Sequence, residues 1–188
     1  MTSLCDLGLK YGTDKSPLFG GGDGHYYTPW YSREFNEHRK DVRKVFELGI
    51  SNGASILMWH DYFMNADIYC ADIHQPGIEL MKNRLGIHAY YVDQSNAQSL
   101  VELRDQLPKG FDLMIDDGSH DPEDQILTAN ILADRLAPGG YYVIEDVQPP
   151  TMNWLKVYDG ILWPWETTIW ELGPKPDDRL IVIERPNV

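Results

Sequence analysis

Apolar residues occur along this chain in short runs that stop at acids or glycines, and the runs alternate with segments of helical spacing. Residues 45–48 read as a strand entering a turn marked by Gly49 and Gly53, and 54–64 as an apolar-rich helix. A second strand over 68–73 has Asp72 at its end and is followed by a short helix over 78–85. A third strand over 88–92 stops at Asp93, and a helix over 97–107 takes Asn96 as its cap. Residues 113–115 form a fourth strand. Asp121, Pro122, Glu123 and Asp124 then supply a cap, a first-turn proline and two acids for a helix that runs to 136 and is stopped by Ala137-Pro138-Gly139-Gly140. Residues 141–144 are the fifth strand.

Both ends depart from this rhythm. Residues 1–29 carry two glycine clusters and read as a loop-like arm or lid, and 29–40 fit a helix with Thr28 as cap and Pro29 at its first position. Beyond Pro149-Pro150 an irregular segment is crowded with Trp154, Tyr158, Trp163 and Trp165, and two strands over 167–172 and 180–184 lie close enough for an antiparallel hairpin. Strands alternating with helices require right-handed crossovers and a parallel sheet covered on both faces. The expectation is a single α/β domain over 1–188, with an arm over 1–29 and a core over 41–188. Its core is a doubly wound, mostly parallel, Rossmann-like sheet with an antiparallel C-terminal hairpin.

Composition narrows the partners. Sixteen Lys and Arg against 29 Asp and Glu leave a formal charge of −13, which argues against a nucleic-acid backbone or an anionic membrane surface and permits a cationic cofactor or a divalent cation. Two cysteines, Cys5 and Cys70, form no disulfide framework, and Cys70 sits in an apolar run as a buried thiol. No basic leader and no apolar stretch of membrane-spanning length is visible, so the expected location is cytoplasmic.

In a doubly wound sheet, ligands bind beyond the carboxyl ends of the strands. Glu47, Asp72, Asp93, Asp116, Asp117, Glu145 and Asp146 all fall at or near such ends, a pattern that scattered surface charge does not produce. Within 111–121 an apolar run ends in Asp116-Asp117-Gly118-Ser119-His120, a setting for a divalent metal and a catalytic base. In the turn Glu47-Leu48-Gly49-Ile50-Ser51-Asn52-Gly53 the glycines are spaced differently from the dinucleotide fingerprint. Glu47 would repel a pyrophosphate but could accept from the ammonium of an amino-acid-bearing cofactor, and Asp72 suits a contact to ribose hydroxyls. Asp121 reads as a helix cap and Ser119 as a turn hydroxyl. The absence of Cys/His ligand spacing disfavours zinc, and His25, His60, His74 and His88 show no partner pattern.

The run Val-Phe-Glu-Leu-Gly-Ile-Ser-Asn-Gly with Asp72 after it resembles the cofactor motif of class I S-adenosylmethionine-dependent methyltransferases. With Tyr11-Gly-Thr-Asp-Lys, Asp116-Asp117-Gly-Ser-His120 and Ile144-Glu145-Asp146, the chain resembles the metal-dependent sugar O-methyltransferases of macrolide and related antibiotic pathways, and the cephalosporin hydroxylase-like proteins that share the pattern. The resemblance implies that Asp117 and Asp146 would ligate Mg²⁺, with Glu145 as a further candidate, and that His120 would be the general base. Asp116, Glu47 and Gly49 would meet the methionine end of S-adenosylmethionine, with Ser51 in the same turn. Asp72 would hold the ribose, Asp93 and Gln94 would lie near the adenine, and Tyr11 and Thr13 would close over the cofactor. The implied partner is a small-molecule hydroxyl acceptor, a sugar or glycoside.

Two other readings stand beside this one: a nucleotide-binding oxidoreductase on the same fold, and a non-catalytic cofactor- or metal-binding protein. The aromatic segment reads equally as a surface for stacking on a sugar and as packing under a loop or a homo-oligomer interface.

Overall fold

The computed structural model describes residues 2–147 and 153–187. Seven strands form one sheet in the order β3-β2-β1-β4-β5-β7-β6, comprising β1 (Lys44–Leu48), β2 (Asp67–Asp72), β3 (Ile87–Tyr91), β4 (Phe111–Asp116), β5 (Leu136–Ile144), β6 (Glu166–Glu171) and β7 (Arg179–Glu184). The first five are mutually parallel, while β7 runs antiparallel to both β5 and β6. The order reverses between β1 and β4, which makes their carboxyl ends the switch point of the sheet.

Side chains alternate across the strands, and each face of the sheet packs its own core. Val45, Ile68, Cys70, Leu113 and Val143 face one cluster, while Phe46, Tyr69, Met114 and Ile144 face the other. The first face is covered by α1 (Leu4–Tyr11), α2 (Tyr27–Phe35) and α3 (Ala54–Tyr62), joined at its margin by α4 (Gln75–Lys82). The second is covered by α5 (Ala97–Gln106), α6 (Pro122–Leu132) and α7 (Asn153–Gly160). Among the described residues no helix is long and apolar enough to cross a membrane.

The arm is not the loop that its glycines suggest. Ser3 caps α1 by accepting from the Asp6 amide, and Gly12 closes the helix in the left-handed region. Gly8 lies inside α1 because a Cβ there would meet Ser16 Cβ at 2.5 Å. α2 starts at Tyr27, so Pro29 falls in its first turn rather than at its first position, where its missing N–H still costs nothing. The Thr28 hydroxyl lies 3.2 Å from Cys5 Sγ instead of capping. The helix stops at Phe35, not at residue 40; in the polar run Asn36-Glu37-His38-Arg39-Lys40-Asp41 only Arg39 is buried, its guanidinium over the Tyr62 ring.

α6 ends at Leu132 and one 3-10 turn leads straight into β5, whose Leu136 is already paired with Phe111. The segment after Pro149-Pro150, which lie outside the described residues as does the Trp154 side chain, contains α7 rather than irregular chain. Trp163 and Trp165 stack at 4.5 Å just before Glu166, which pairs with Glu184, itself opposite Tyr141. Both tryptophans are half-buried; the Trp163 indole N–H donates to Ala129 O at 3.0 Å on α6, and Arg185 lies over the Trp165 ring.

Candidate active site

The backbone ladder brings the acids together. Leu48 pairs with Asp116, and Asp116 with Ile144, so the residues that follow, Gly49, Asp117 and Glu145, leave the sheet side by side. Asp117 N–H still donates to Leu48 O at 2.9 Å, and Glu145 N–H to Asp116 O at 3.0 Å. Gly49 has φ of +100°, and a Cβ on it would stand 2.0 Å from Asp117 O. Only glycine therefore lets the first turn and the acid-bearing loop approach this closely.

Beside this seam lies a cavity of about 970 Å³. Six predicted cofactor residues line it, namely Thr13, Gly49, Ser51, Asp72, Asp93 and Gln94. Asp72 shapes the first turn: its Oδ2 accepts from the amides of Ile50 at 2.6 Å and Ser51 at 3.1 Å, and its Oδ1 from His74 at 2.8 Å. The arm supplies a wall through Gly12, Thr13, Asp14 and Phe19.

Three residues expected at the cofactor lie elsewhere. The Tyr11 hydroxyl donates to Asp61 at 2.5 Å, on the α1–α3 side, so Tyr11 does not close over the cavity. Glu47 is fully buried behind the turn, accepting from Trp59 Nε1 at 2.7 Å with Lys15 Nζ 3.2 Å away. Glu47 therefore engages groups of the protein interior rather than the cavity. Asp116 is also fully buried, and burial pushes its carboxyl up to about 7 against the pull of the Gln94 amide, which donates to both its oxygens at 2.8 and 3.0 Å.

The residue that sequence reasoning missed is Lys15. Its ammonium, 2% exposed, lies 3.2 Å from Glu47, 2.5 Å from Asp117 Oδ2, and in hydrogen-bond contact with Glu145. One cation from the arm thus meets the ends of β1, β4 and β5. Burial opposes its charge, but Asp117, Glu145 and Glu47 outweigh burial and hold Lys15 well above its ordinary value. The same contact works on Asp117, where Lys15 and His120 overcome burial and hold the carboxyl below the usual range. Lys15 stands within the quoted Tyr-Gly-Thr-Asp-Lys motif, which was the one available signal.

Glu145 differs from its expected role as a metal ligand. Its Oε1 accepts from Tyr31 at 2.6 Å and its Oε2 from Lys15, and burial raises it to about 8. Among the described residues two groups could instead surround an ion, His25 with Asp146 and Asp177, and Asp117 with His120 and Asp146; within each the ligand atoms lie within 4.8 Å of one another, and only the second includes a residue of the cavity wall, Asp117. His120 Nε2 is 3.2 Å from Asp117 Oδ1 and 3.5 Å from Asp146 Oδ2, and His120 and Asp146 both adopt positive φ, 59° and 51°. The hydrogen bond to Asp117, followed by the charges of Asp146 and Asp117, raises His120 to about 9 despite partial burial. Tyr27 fixes Asp146, its hydroxyl 2.5 Å from Oδ1 and 3.1 Å from the backbone N–H. His25, expected to be incidental, stacks on Tyr27, lies 3.8 Å from Asp146 Oδ1 and 3.0 Å from Asp178. Asp121 caps α6 through the Glu123 amide, and Ser119 Oγ bridges Asp121 N–H and Asp124, as their turn chemistry requires.

Comparison with known proteins agrees with this architecture. The family model described as a methyltransferase domain matches residues 46–147. The chain is 33% identical over 152 residues to the 8-demethyl-8-alpha-L-rhamnosyl tetracenomycin-C 2'-O-methyltransferase of Streptomyces olivaceus, covering 77% of this chain and 38% of that protein. It is 35% identical over 151 residues to the demethylmacrocin O-methyltransferase of Streptomyces fradiae, covering 77% of this chain and 36% of that one. The chain therefore spans well under half the length of these curated relatives. Among solved structures, the MycE methyltransferase of the mycinamycin biosynthetic pathway, in complex with Mg, SAH and mycinamycin VI, superposes with a TM-score of 0.73 at 23% identity, covering 99% of this chain and 55% of that one. With the switch-point cavity, the parallel order and a family match across β1 to β5 together, this chain belongs to the methyltransferase-domain family and has its class I, Rossmann-like fold.

Proposed function

We propose that this chain binds S-adenosylmethionine in the switch-point cavity and methylates a hydroxyl of a sugar on a small glycosylated molecule, with Mg²⁺ held by Asp117 and Asp146 and His120 as general base. The observation that carries the reading is the convergence of Asp117 Oδ1, Asp146 Oδ2 and His120 Nε2 within 4.8 Å at the ends of β4 and β5, beside the cavity. Two carboxylate oxygens from adjacent strands fit a hard divalent cation, and no described cysteine stands with them to favour a softer one. The acids gathered at the strand ends also outnumber the cations: Glu47, Asp116, Asp117, Glu145 and Asp146 stand against Lys15 and His120. The names of the relatives support the acceptor class, since those proteins are O-methyltransferases of rhamnosyl tetracenomycin and demethylmacrocin.

When bound, S-adenosylmethionine supplies an electrophilic methyl group and the cation makes a neighbouring hydroxyl more acidic. The chain's own residues do the rest. His120 would receive the acceptor's proton at Nε2, the nitrogen that faces Asp117 and Asp146, once a cation on those two carboxylates offsets the charges that otherwise keep the imidazole protonated. Lys15 keeps Asp117 ionised and fixes its Oδ2, so that Oδ1 is presented to the site. Tyr27 orients Asp146, and the arm residues Thr13, Asp14 and Phe19 form one wall of the cavity. Asp72 holds the first turn in shape by accepting from the Ile50 and Ser51 amides and would face the ribose.

Titration calorimetry with S-adenosylhomocysteine tests the cofactor half of this reading. Wild-type protein is expected to bind it and Asp72→Ala to bind at least about tenfold more weakly, the value of one lost charged hydrogen-bonding group. Absence of binding by the wild type would end the reading.

A further inference from the structure

The geometry points to Gln94 as a positioning residue that ties the cofactor cavity to the loop carrying His120, rather than as a simple contact to the adenine. This inference rests on the proposed function and deepens it.

Gln94 follows β3, and its side chain reaches the loop after β4 although β2 and β1 stand between those strands in the sheet. It crosses the floor of the cavity, which it lines, and is only 8% exposed. Its two amide ends have separate tasks. Nε2 donates to both oxygens of the fully buried Asp116, at 2.8 and 3.0 Å. Oε1 accepts from the Ser119 backbone N–H at 2.8 Å. Asp116 Oδ1 in turn accepts from the Gly118 N–H at 3.3 Å. A single side chain therefore fixes the two residues that flank Asp117-Gly118, Asp116 and Ser119, the second of which immediately precedes His120.

The sequence is built for this approach. A Cβ on Gly118 would meet Gln94 Oε1 at 2.1 Å and Leu48 Cδ2 at 2.2 Å, so glycine at 118 leaves the Gln94 amide in place to bond Ser119. His120, which the loop delivers, holds a φ of 59°, a conformation that a non-glycine residue keeps only when its surroundings fix it. The Ser119 amide is the last backbone donor fixed before that residue. A ligand filling the cavity presses on Gln94, and through it on Asp116 and Ser119. Cofactor occupancy and the position of the base are thus coupled through one amide side chain.

Backbone hydrogen exchange at Ser119 tests the coupling, with S-adenosylhomocysteine as the probe and calorimetry to confirm binding. In the wild type, saturation with the probe is expected to slow Ser119 exchange. In Gln94→Met, which fills the same space without donor or acceptor, Ser119 should exchange about tenfold faster or more, the factor that one lost hydrogen bond carries, while exchange in β1 and β2 stays unchanged. The reversed pair, Gln94→Glu with Asp116→Asn, keeps an acceptor for Ser119 and a donor–acceptor pair with residue 116, so its Ser119 exchange should return to within about threefold of wild type. If Gln94→Met does not fold, the reversed pair and the wild-type response to the probe still decide the matter. Ser119 exchange that ignores the probe, the methionine or the reversal overturns the inference while leaving cofactor binding intact. A wild type that binds no probe removes the functional reading, and the coupling with it.

Discussion

The Lys15 ammonium lies 2.5 Å from Asp117 Oδ2 although 102 positions separate the two residues. This pair closes the arm onto the centre of the sheet and sets the charge of the site, because the same ammonium also meets Glu47 and Glu145. Replacing it with an apolar group strands three carboxylates, two of them fully buried. Lys15→Met is expected to lose about 3–5 kcal/mol of stability, the cost of removing one partner from a buried ion pair. Thermal melting checks this, and a midpoint within a degree or two of wild type would contradict the pairing.

A pH dependence follows from the raised groups. Asp117 chiefly raises His120 to about 9, and burial raises Asp116 to about 7 and Glu145 to about 8. Each binds more protons folded than unfolded between its ordinary value and its raised one. Its stabilising contribution is therefore present below that window and lost as pH rises through it. Without divalent cation, the melting temperature should fall from about pH 6 to about pH 9, and Mg²⁺ should flatten the fall. A melting temperature that rises over that range would contradict the assigned environment of these groups.

Gly49 offers a steric test. A side chain there clashes with the Asp117 carbonyl and must also hold a φ of +100°. Gly49→Ala is expected to cost more than about 2 kcal/mol and to weaken S-adenosylhomocysteine binding. Denaturant unfolding and calorimetry measure both, and wild-type values in both would show that the two loops do not need this approach.

The parallel sheet was legible because each strand is a short apolar run that stops at an acid or a glycine, as at Gly49, Asp72 and Asp116. A buried strand has no other reason to stop on a carboxylate. Asp121-Pro122 likewise announced α6, since cap and proline act within a single turn. Lys15 was not legible: an isolated lysine is ordinarily a surface residue, and its three partners lie on strands that only the fold brings together. Glu47 and Glu145 were misread for the same reason, because their positions at strand ends were correct and their partner was unseen. α1 was hidden by Gly8 and Gly12, which look like loop residues until Ser16 is packed against the first and the second is seen to cap the helix.

Methyl transfer from labelled S-adenosylmethionine to the sugar hydroxyls of glycosylated small molecules tests the central claim most directly, run with Mg²⁺, with EDTA, and in His120→Ala. Transfer should require the cation, return when Mg²⁺ is restored, and fall about 10²- to 10⁴-fold in the variant, the usual worth of a general base. Transfer that proceeds undiminished in EDTA, or equally well without the His120 imidazole, would contradict the account.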